Sequence, residues 1–214
     1  MSISGTVIGV DSSTQSCKVM VVDAATGQIL SRGSAPHPDG TSVDPREWTK
    51  ALNQAWDAAG ARERSDVLGV GVSAQQHGMV ALDSAGAPVH DALLWNDVRS
   101  APQARAMVEE LEISGWVEAT GSAPVTSITL TKLAWLRENA PEAAARVERV
   151  GLPHDWLVSE LTGGAWITDR SEASGSGWFD PASGSIREDL LERWFGAAPQ
   201  VPEVLAPHAS AGTI

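Results

Sequence analysis

The sequence predicts an α/β chain built on a mixed sheet, and three observations carry that reading. Two apolar runs, Thr6-Val7-Ile8-Gly9-Val10 and Val19-Met20-Val21-Val22, flank a short hydroxyl-rich segment, as strands joined by a turn do. A third run follows Ala24-Ala25-Thr26-Gly27, so the connections are short and the strands are antiparallel neighbours. Beyond residue 100 the apolar spacing becomes helical. The order is therefore a three-stranded antiparallel meander, a helix, a further strand and then mostly helices.

Each element has a local cause. The strands are expected at 6–11, 17–23 and 28–33, with Gly27 free to take a positive φ in the second turn. Residues 36–42, rich in Pro, Gly, His and Asp, form a loop. Asp44 as N-cap, Pro45 at the first position and Glu47 at the capping-box position open a helix, and Trp48, Leu52, Ala55 and Ala59 share one of its faces. A buried strand is expected at 67–73. A hairpin is expected from 79–83 and 88–94 around Ser84-Ala85-Gly86. Helices follow at 101–111, 130–139, 142–147, 155–162 and 186–195, with a short strand at 149–152. Residues 168–180, small and hydroxylated before two aromatics, form a loop or short helix passing close to a ligand or another element. No repeat, low-complexity tract or obvious linker is present, and the length of 214 residues allows one large domain or two small ones.

Composition narrows the function. The 214 residues carry a formal net charge of −12. That balance argues against nucleic acid, whose affinity rests on Lys and Arg neutralising phosphates, and against an anionic membrane surface. It leaves a nucleotide ligand open, since a local loop and Mg²⁺ overcome a distant negative field. The single cysteine, Cys17, allows no intrachain disulfide, so a reducing cytoplasm is expected. Cys17 reads as a small core residue rather than a nucleophile. Met1-Ser2-Ile3-Ser4-Gly5-Thr6 has neither the basic region nor the apolar run of a leader, and no stretch reaches bilayer-spanning length. Nine Trp stand against no Tyr and two Phe. Most of these Trp fall at core spacing, with Trp95 as the exception.

Four segments carry chemistry. Asp11-Ser12-Ser13-Thr14-Gln15-Ser16-Cys17-Lys18 is dense in hydroxyls, which with freed backbone N–H groups hold phosphate oxygens, and Asp11 can reach a Mg²⁺ ion. The same residue types also fill ordinary hairpin turns. Ser73-Ala74-Gln75-Gln76-His77-Gly78 places two amides and an imidazole after a strand, where they suit a hydroxyl-rich ligand or a polar network. Leu94-Trp95-Asn96-Asp97-Val98-Arg99 sets an aromatic face beside amide and carboxylate, a way to hold a sugar; Arg99 can equally pair with Asp97 as a structural bridge. Residues 127–139 form an amphipathic helix with its entrance, in which Leu133 and Leu136 pack and Trp135 is partly buried.

The order of elements resembles the first half of the ribonuclease H-like fold of actin, the heat-shock chaperone ATPases and the sugar kinases. In that fold the phosphate loop is the turn between the first two strands. The motifs resemble those of the FGGY carbohydrate kinases, and within them the xylulose kinase group. Gly9 to Lys18 stands where the family carries a Gly-Ile-Asp-x-Gly-Thr-Ser-x-x-Lys-like loop. Residues 74–78 stand for a Gly-Gln-Met-His-Gly segment, and Leu-Trp-Asn-Asp-x-Arg is intact at 94–99. Ser127, Thr129, Lys132, Trp135, Glu138 and Asn139 match the family's first signature in order, and residues 152–157 and 168–180 resemble xylulose kinase segments. Three positions depart: Ser13 replaces the loop glycine, Ala74 the leading glycine of the substrate segment, and Gln76 its Met.

This resemblance implies ATP-dependent phosphorylation of a ketopentose, D-xylulose foremost, with ribulose, gluconate or a polyol as related substrates. A non-catalytic sugar-binding or interaction domain is the reading from another class. By the resemblance Asp11 anchors Mg²⁺, Ser13, Thr14 and Lys18 hold ATP phosphate, and Gln76, His77, Trp95, Asn96 and Asp97 line the sugar site. Family members are longer, with a second domain that brings the Asp base, so that base is expected beyond Ile214 and residues 1–214 alone are expected to be inactive. A homodimer stays open.

Overall fold

The opening hairpin forms where the alternation of apolar residues places it. The computed structural model describes residues 4–214. Residues 1–3, part of the search for a leader, lie outside the described residues. Strands β1 (Thr6–Ser12), β2 (Ser16–Asp23) and β3 (Ile29–Pro36) run as an antiparallel meander. Side chains alternate between faces: Ile8, Val10, Cys17, Val19 and Val21 are buried, while Val7 and Met20 are exposed. Burial, helped by the charge of Asp11, pushes the Cys17 thiol up to about 11, which suits a core residue and not a nucleophile.

After the two-residue strand β4 (Ser42–Val43), helix α1 (Pro45–Ala58) starts at Pro45 and buries Trp48, Ala51, Leu52 and Ala55. It is the crossover that returns the chain parallel to β1 as β5 (Val67–Ala74), giving a mixed sheet of order β3-β2-β1-β5. The expectation that this last strand is buried is corrected. Among the described residues β5 is an edge strand, and Leu68 is 57% exposed.

Two compact units result. The first takes residues up to Gly40 and Arg46–Gln75, and holds this sheet with α1. The second takes Thr41–Pro45 and Gln76–Ile214. It is built from short ladders and helices: β6 (Val80–Leu82), β7 (Ala92–Leu93), α2 (Ala101–Thr120), α3 (Thr129–Asn139), α4 (Pro141–Ala144), β8 (Arg149–Gly151), α5 (Pro153–Thr162), β9 (Ile167–Thr168), α6 (Arg170–Ser174), β10 (Phe179–Asp180), β11 (Ser185–Ile186), α7 (Glu188–Phe195) and β12 (Glu203–Val204). Its core gathers Met79, Leu93, Met107, Trp116, Leu133 and Trp178. No described helix is long and apolar enough to cross a membrane.

Three expectations change here. The 84–86 turn exists, held by Asp83, whose carboxylate accepts from the N–H groups of Ala85 and Ala87. Its arms, however, pair elsewhere: β6 with β8, and β7 with β4, leaving only single bridges Leu82–Pro88 and Met79–Leu93 between them. The helix expected to end at 111 continues to Thr120 through a break at Glu112, whose φ is 56°. The Trp116 indole N–H spans that break and donates to the Met107 carbonyl at 2.6 Å. The last helix begins at Glu188 rather than 186, because Ser185–Ile186 closes a small hairpin onto Phe179–Asp180. Asp180 stabilises that turn by accepting from Ala182 N–H and the Ser183 hydroxyl.

Candidate functional site

In the first unit the candidate phosphate turn is short and well tied. Ser13 donates to the Ser16 carbonyl through both its N–H (3.0 Å) and its hydroxyl (3.2 Å). His37, which the sequence motifs do not single out, supports it. His37 donates from its backbone N–H to the Gln15 carbonyl, and its Nδ1 lies 2.9 Å from the Ser13 carbonyl oxygen. His37 is buried, and burial holds its ring below the usual imidazole range against the pull of the turn carbonyls. Its signal was a histidine in the first loop to follow the meander.

Asp11 and Lys18 face each other across the β1–β2 ladder, with Lys18 Nζ 3.1 Å from Asp11 Oδ2. Both are about half exposed, so the pair contributes at most about 1 kcal/mol and yields readily to a ligand. The register puts Gly9, Gly71 and Ser73 on their face of the sheet. A side chain added at Gly9 or Gly71 would meet nothing within 4 Å. A bare strand face beside a carboxylate, an ammonium and two hydroxylated turn residues fits a magnesium-bound polyphosphate. Mg²⁺ needs few protein carboxylates because phosphate and water complete its shell. Asp11 can supply one such carboxylate.

In the second unit, the Met79–Leu93 bridge aligns the two segments expected to hold sugar. Leading away from it, Gln76, Trp95 and Asn96 are exposed and His77 is half-buried. Asp97 is buried and its carboxylate is fully engaged. Thr41 hydroxyl donates to Oδ2 at 2.7 Å, and Arg99 donates to Oδ1 from its backbone N–H (3.0 Å) and Nε (2.9 Å). Burial alone would raise the Asp97 carboxyl; the Thr41 and Arg99 hydrogen bonds outweigh it and hold the group below the usual carboxylate range. Arg99 also lies over the Trp135 ring, 5.0 Å from its centroid. The Arg99–Asp97 bridge is thus present, and it stiffens the turn that presents Trp95 and Asn96.

Beyond its place in the signature, the sequence assigns Lys132 no role. It is wholly buried in α3, and its Nζ donates to the carbonyls of Thr126 (2.9 Å) and Ser127. Burial pulls it down to about 7, opposed by the Asp97 carboxylate. A lysine among Leu130, Leu133 and Leu136 was the available signal.

A second polar group lies beneath this region. Asp155 caps α5 by accepting from the Leu152 N–H (2.8 Å) and sits 3.1 Å from His154 Nδ1. Burial pulls His154 down, but the Asp155 hydrogen bond and the surrounding acids raise it above its usual value. Glu172 is buried with Oε2 unpartnered, and burial pushes it up to about 7, partly offset by His154. The folded protein therefore keeps a Glu172 proton that the unfolded chain releases above about pH 4.5, and stability falls between pH 4.5 and 7. The raised His154 acts in the same direction, being stabilising in acid and losing that contribution as the pH passes its folded value. Replacement Glu172→Gln should leave urea unfolding unchanged at pH 4.5 and stabilise the protein by about 2 kcal/mol at pH 8; equal gains at both pH values would refute it.

Residues 6–214 match the FGGY family of carbohydrate kinases, N-terminal domain. The chain belongs to this family. It is 48% identical over 213 residues to the xylulose kinase of Streptomyces coelicolor, covering 97% of this chain and 44% of that protein. A 95-residue stretch is 56% identical to a xylulose kinase of an Arthrobacter species, covering 44% of this chain and 97% of that sequence. Among solved structures, the xylulose kinase of Bifidobacterium adolescentis superposes with a TM-score of 0.92 at 42% identity, covering 97% of this chain and 49% of that one. This FGGY chain thus spans about half the length of the relatives it matches over its whole extent, and its mixed sheet is that of the ribonuclease H-like sugar kinase fold, as the order of elements implied.

Proposed function

We propose that this chain is the sugar-binding and phosphate-loop part of an ATP-dependent kinase that converts D-xylulose to D-xylulose 5-phosphate in the cytoplasm. The observation that carries the reading is the 48% identity to a xylulose kinase along 97% of the chain, supported by the intact 94–99 motif and its buried Asp97 network. Phosphoryl transfer depends on positioning and charge neutralisation more than on covalent chemistry. Mg²⁺ bound at Asp11 would neutralise charge on the ATP phosphate oxygens. Lys18 then turns from Asp11 to the phosphates, and the hydroxyls of Ser13 and Thr14 hold phosphate oxygens. Trp95 stacks on the sugar's C–H face, while Gln76, His77 and Asn96 bond its hydroxyls and Asp97 fixes their turn from beneath. The proton acceptor belongs to the part of such a kinase that this chain, covering 44% of its relative, does not span.

A related substrate is the second reading, favoured by Gln76 and Ala74, which depart from the xylulose kinase pattern in the sugar segment. A coupled ADP-release assay of the full-length protein across D-xylulose, D-ribulose, gluconate and polyols decides between them. We expect kcat/KM to be greatest for D-xylulose; a greater value for another sugar overturns the substrate, and turnover of none overturns the kinase.

A further inference from the structure

We propose that Gly175 and Thr129 fix His77 as the neutral Nδ1–H imidazole, so that its Nε2 accepts a hydrogen bond from a sugar hydroxyl. The inference rests on the sugar-kinase reading and names the positioning residues of that site. His77 has a φ of 64°, in the left-handed region that a side-chain-bearing residue occupies only when its surroundings hold it there. The buried Thr129 hydroxyl supplies one restraint, donating to the His77 carbonyl at 3.2 Å. The Gly175 carbonyl oxygen supplies another, 3.1 Å from His77 Nδ1. A carbonyl only accepts, so Nδ1 carries the proton, and in the neutral ring Nε2 is then the acceptor.

Burial holds the ring neutral, and charge adds to it. Burial is the main cause that pulls His77 below the usual imidazole range; the Gly175 bond opposes it and Lys132 adds to it. Among the described residues, Lys132 is the charged side chain whose field acts on this ring. It cannot swing away, being buried and bonded to the Thr126 and Ser127 carbonyls. Gly175 is required for space and not for its backbone, since its φ is −90°. A Cβ there would fall onto Nδ1 and Cε1 of the His77 ring. The Gly-Ser-Gly stretch after α6 thus lets the chain close against His77. An Nε2 acceptor selects a hydroxyl, which donates, over a ketone oxygen, which does not.

The test uses the full-length protein labelled with ¹⁵N in its histidine rings. Two-bond ¹H–¹⁵N spectra from pH 6 to 8 report the tautomer, and His77→Asn assigns the signal by its loss. We expect a protonated Nδ1 and a lone-pair Nε2, with the Nε2 resonance moving when D-xylulose is added. Lys132→Met should raise the His77 titration midpoint while leaving the tautomer unchanged. Gly175→Ala should raise KM for the sugar at least about tenfold and leave KM for ATP unchanged. Should either variant fail to fold, the tautomer of the unmodified protein decides. An Nε2–H tautomer, or an imidazolium at pH 7, overturns the proposal. An Nδ1–H His77 in a protein that phosphorylates no sugar overturns the kinase reading alone.

Discussion

Replacing Asp97 with Ala should lower stability by about 3–5 kcal/mol and abolish measurable sugar turnover in the full-length protein. The carboxylate is almost wholly buried and serves three partners at once: the Thr41 hydroxyl, Arg99 and the charge of Lys132. Removing it takes away the charge that keeps the buried Lys132 protonated, so the lysine must shed its proton or stay unpaired, a greater loss than that of the hydrogen bonds themselves. It also frees the turn that presents Trp95 and Asn96. The pH dependence has a definite sign. Because the folded Asp97 lies below its unfolded value, its contribution is complete above about pH 4 and is lost as the pH falls through the folded value. Unfolding curves of the two proteins should therefore converge in acid and separate near neutrality. In the double variant with Lys132→Met the two losses should fall short of their sum, because the second change removes the charge that the first left unpaired. Full additivity would break the proposed link.

How much of this was legible in the sequence depends on how far apart the interacting residues lie. The meander could be read because its pairings are local and its faces alternate, as with Ile8 and Val10 inside and Val7 outside. The ladders of the second unit could not, because β6 meets β8 almost seventy positions away and each ladder is two or three residues long. Such pairings leave no periodicity to detect. The same distinction holds at the site. Ser13, Thr14, His77 and Trp95 became candidates by residue type beside a strand. The residues that support them did not. His37 lies 24 positions from Ser13, Thr41 lies 56 from Asp97, and Gly175 lies 98 from His77. Lys132 was hidden for another reason: a lysine in a helix reads as solvated, and only burial shows it to be an interior charge. Leu68 gave the converse error, since an apolar strand reads as buried whether or not a neighbour covers it.

Gly33→Ala should destabilise the first unit by about 3 kcal/mol, a large effect for one methyl group. Gly33 stands opposite Val19 in the β2–β3 ladder, on the face that α1 covers. A Cβ there would fall on the Ala55 carbonyl oxygen, 2.6 Å from the Ala59 nitrogen and 2.9 Å from the Ala58 Cβ. Two of these are helix backbone, so no rotamer change relieves the clash, and α1 must lift from Ile8, Val10 and Val19. The contrast lies on the same sheet. Gly69 has nothing within 4 Å of the corresponding position and an ordinary φ, so Gly69→Ala should change stability by less than about 1 kcal/mol. Urea unfolding of the two variants separates the alternatives: equal, small losses would mean that glycine at 33 serves only to relax the strand, whereas the expected gap means that it sets the distance between helix and sheet. That distance matters to function because β1 and β2 end in the 12–16 turn. Lifting α1 should loosen the ladder that holds Asp11 opposite Lys18, and should raise KM for ATP in the full-length protein as well as lower its stability.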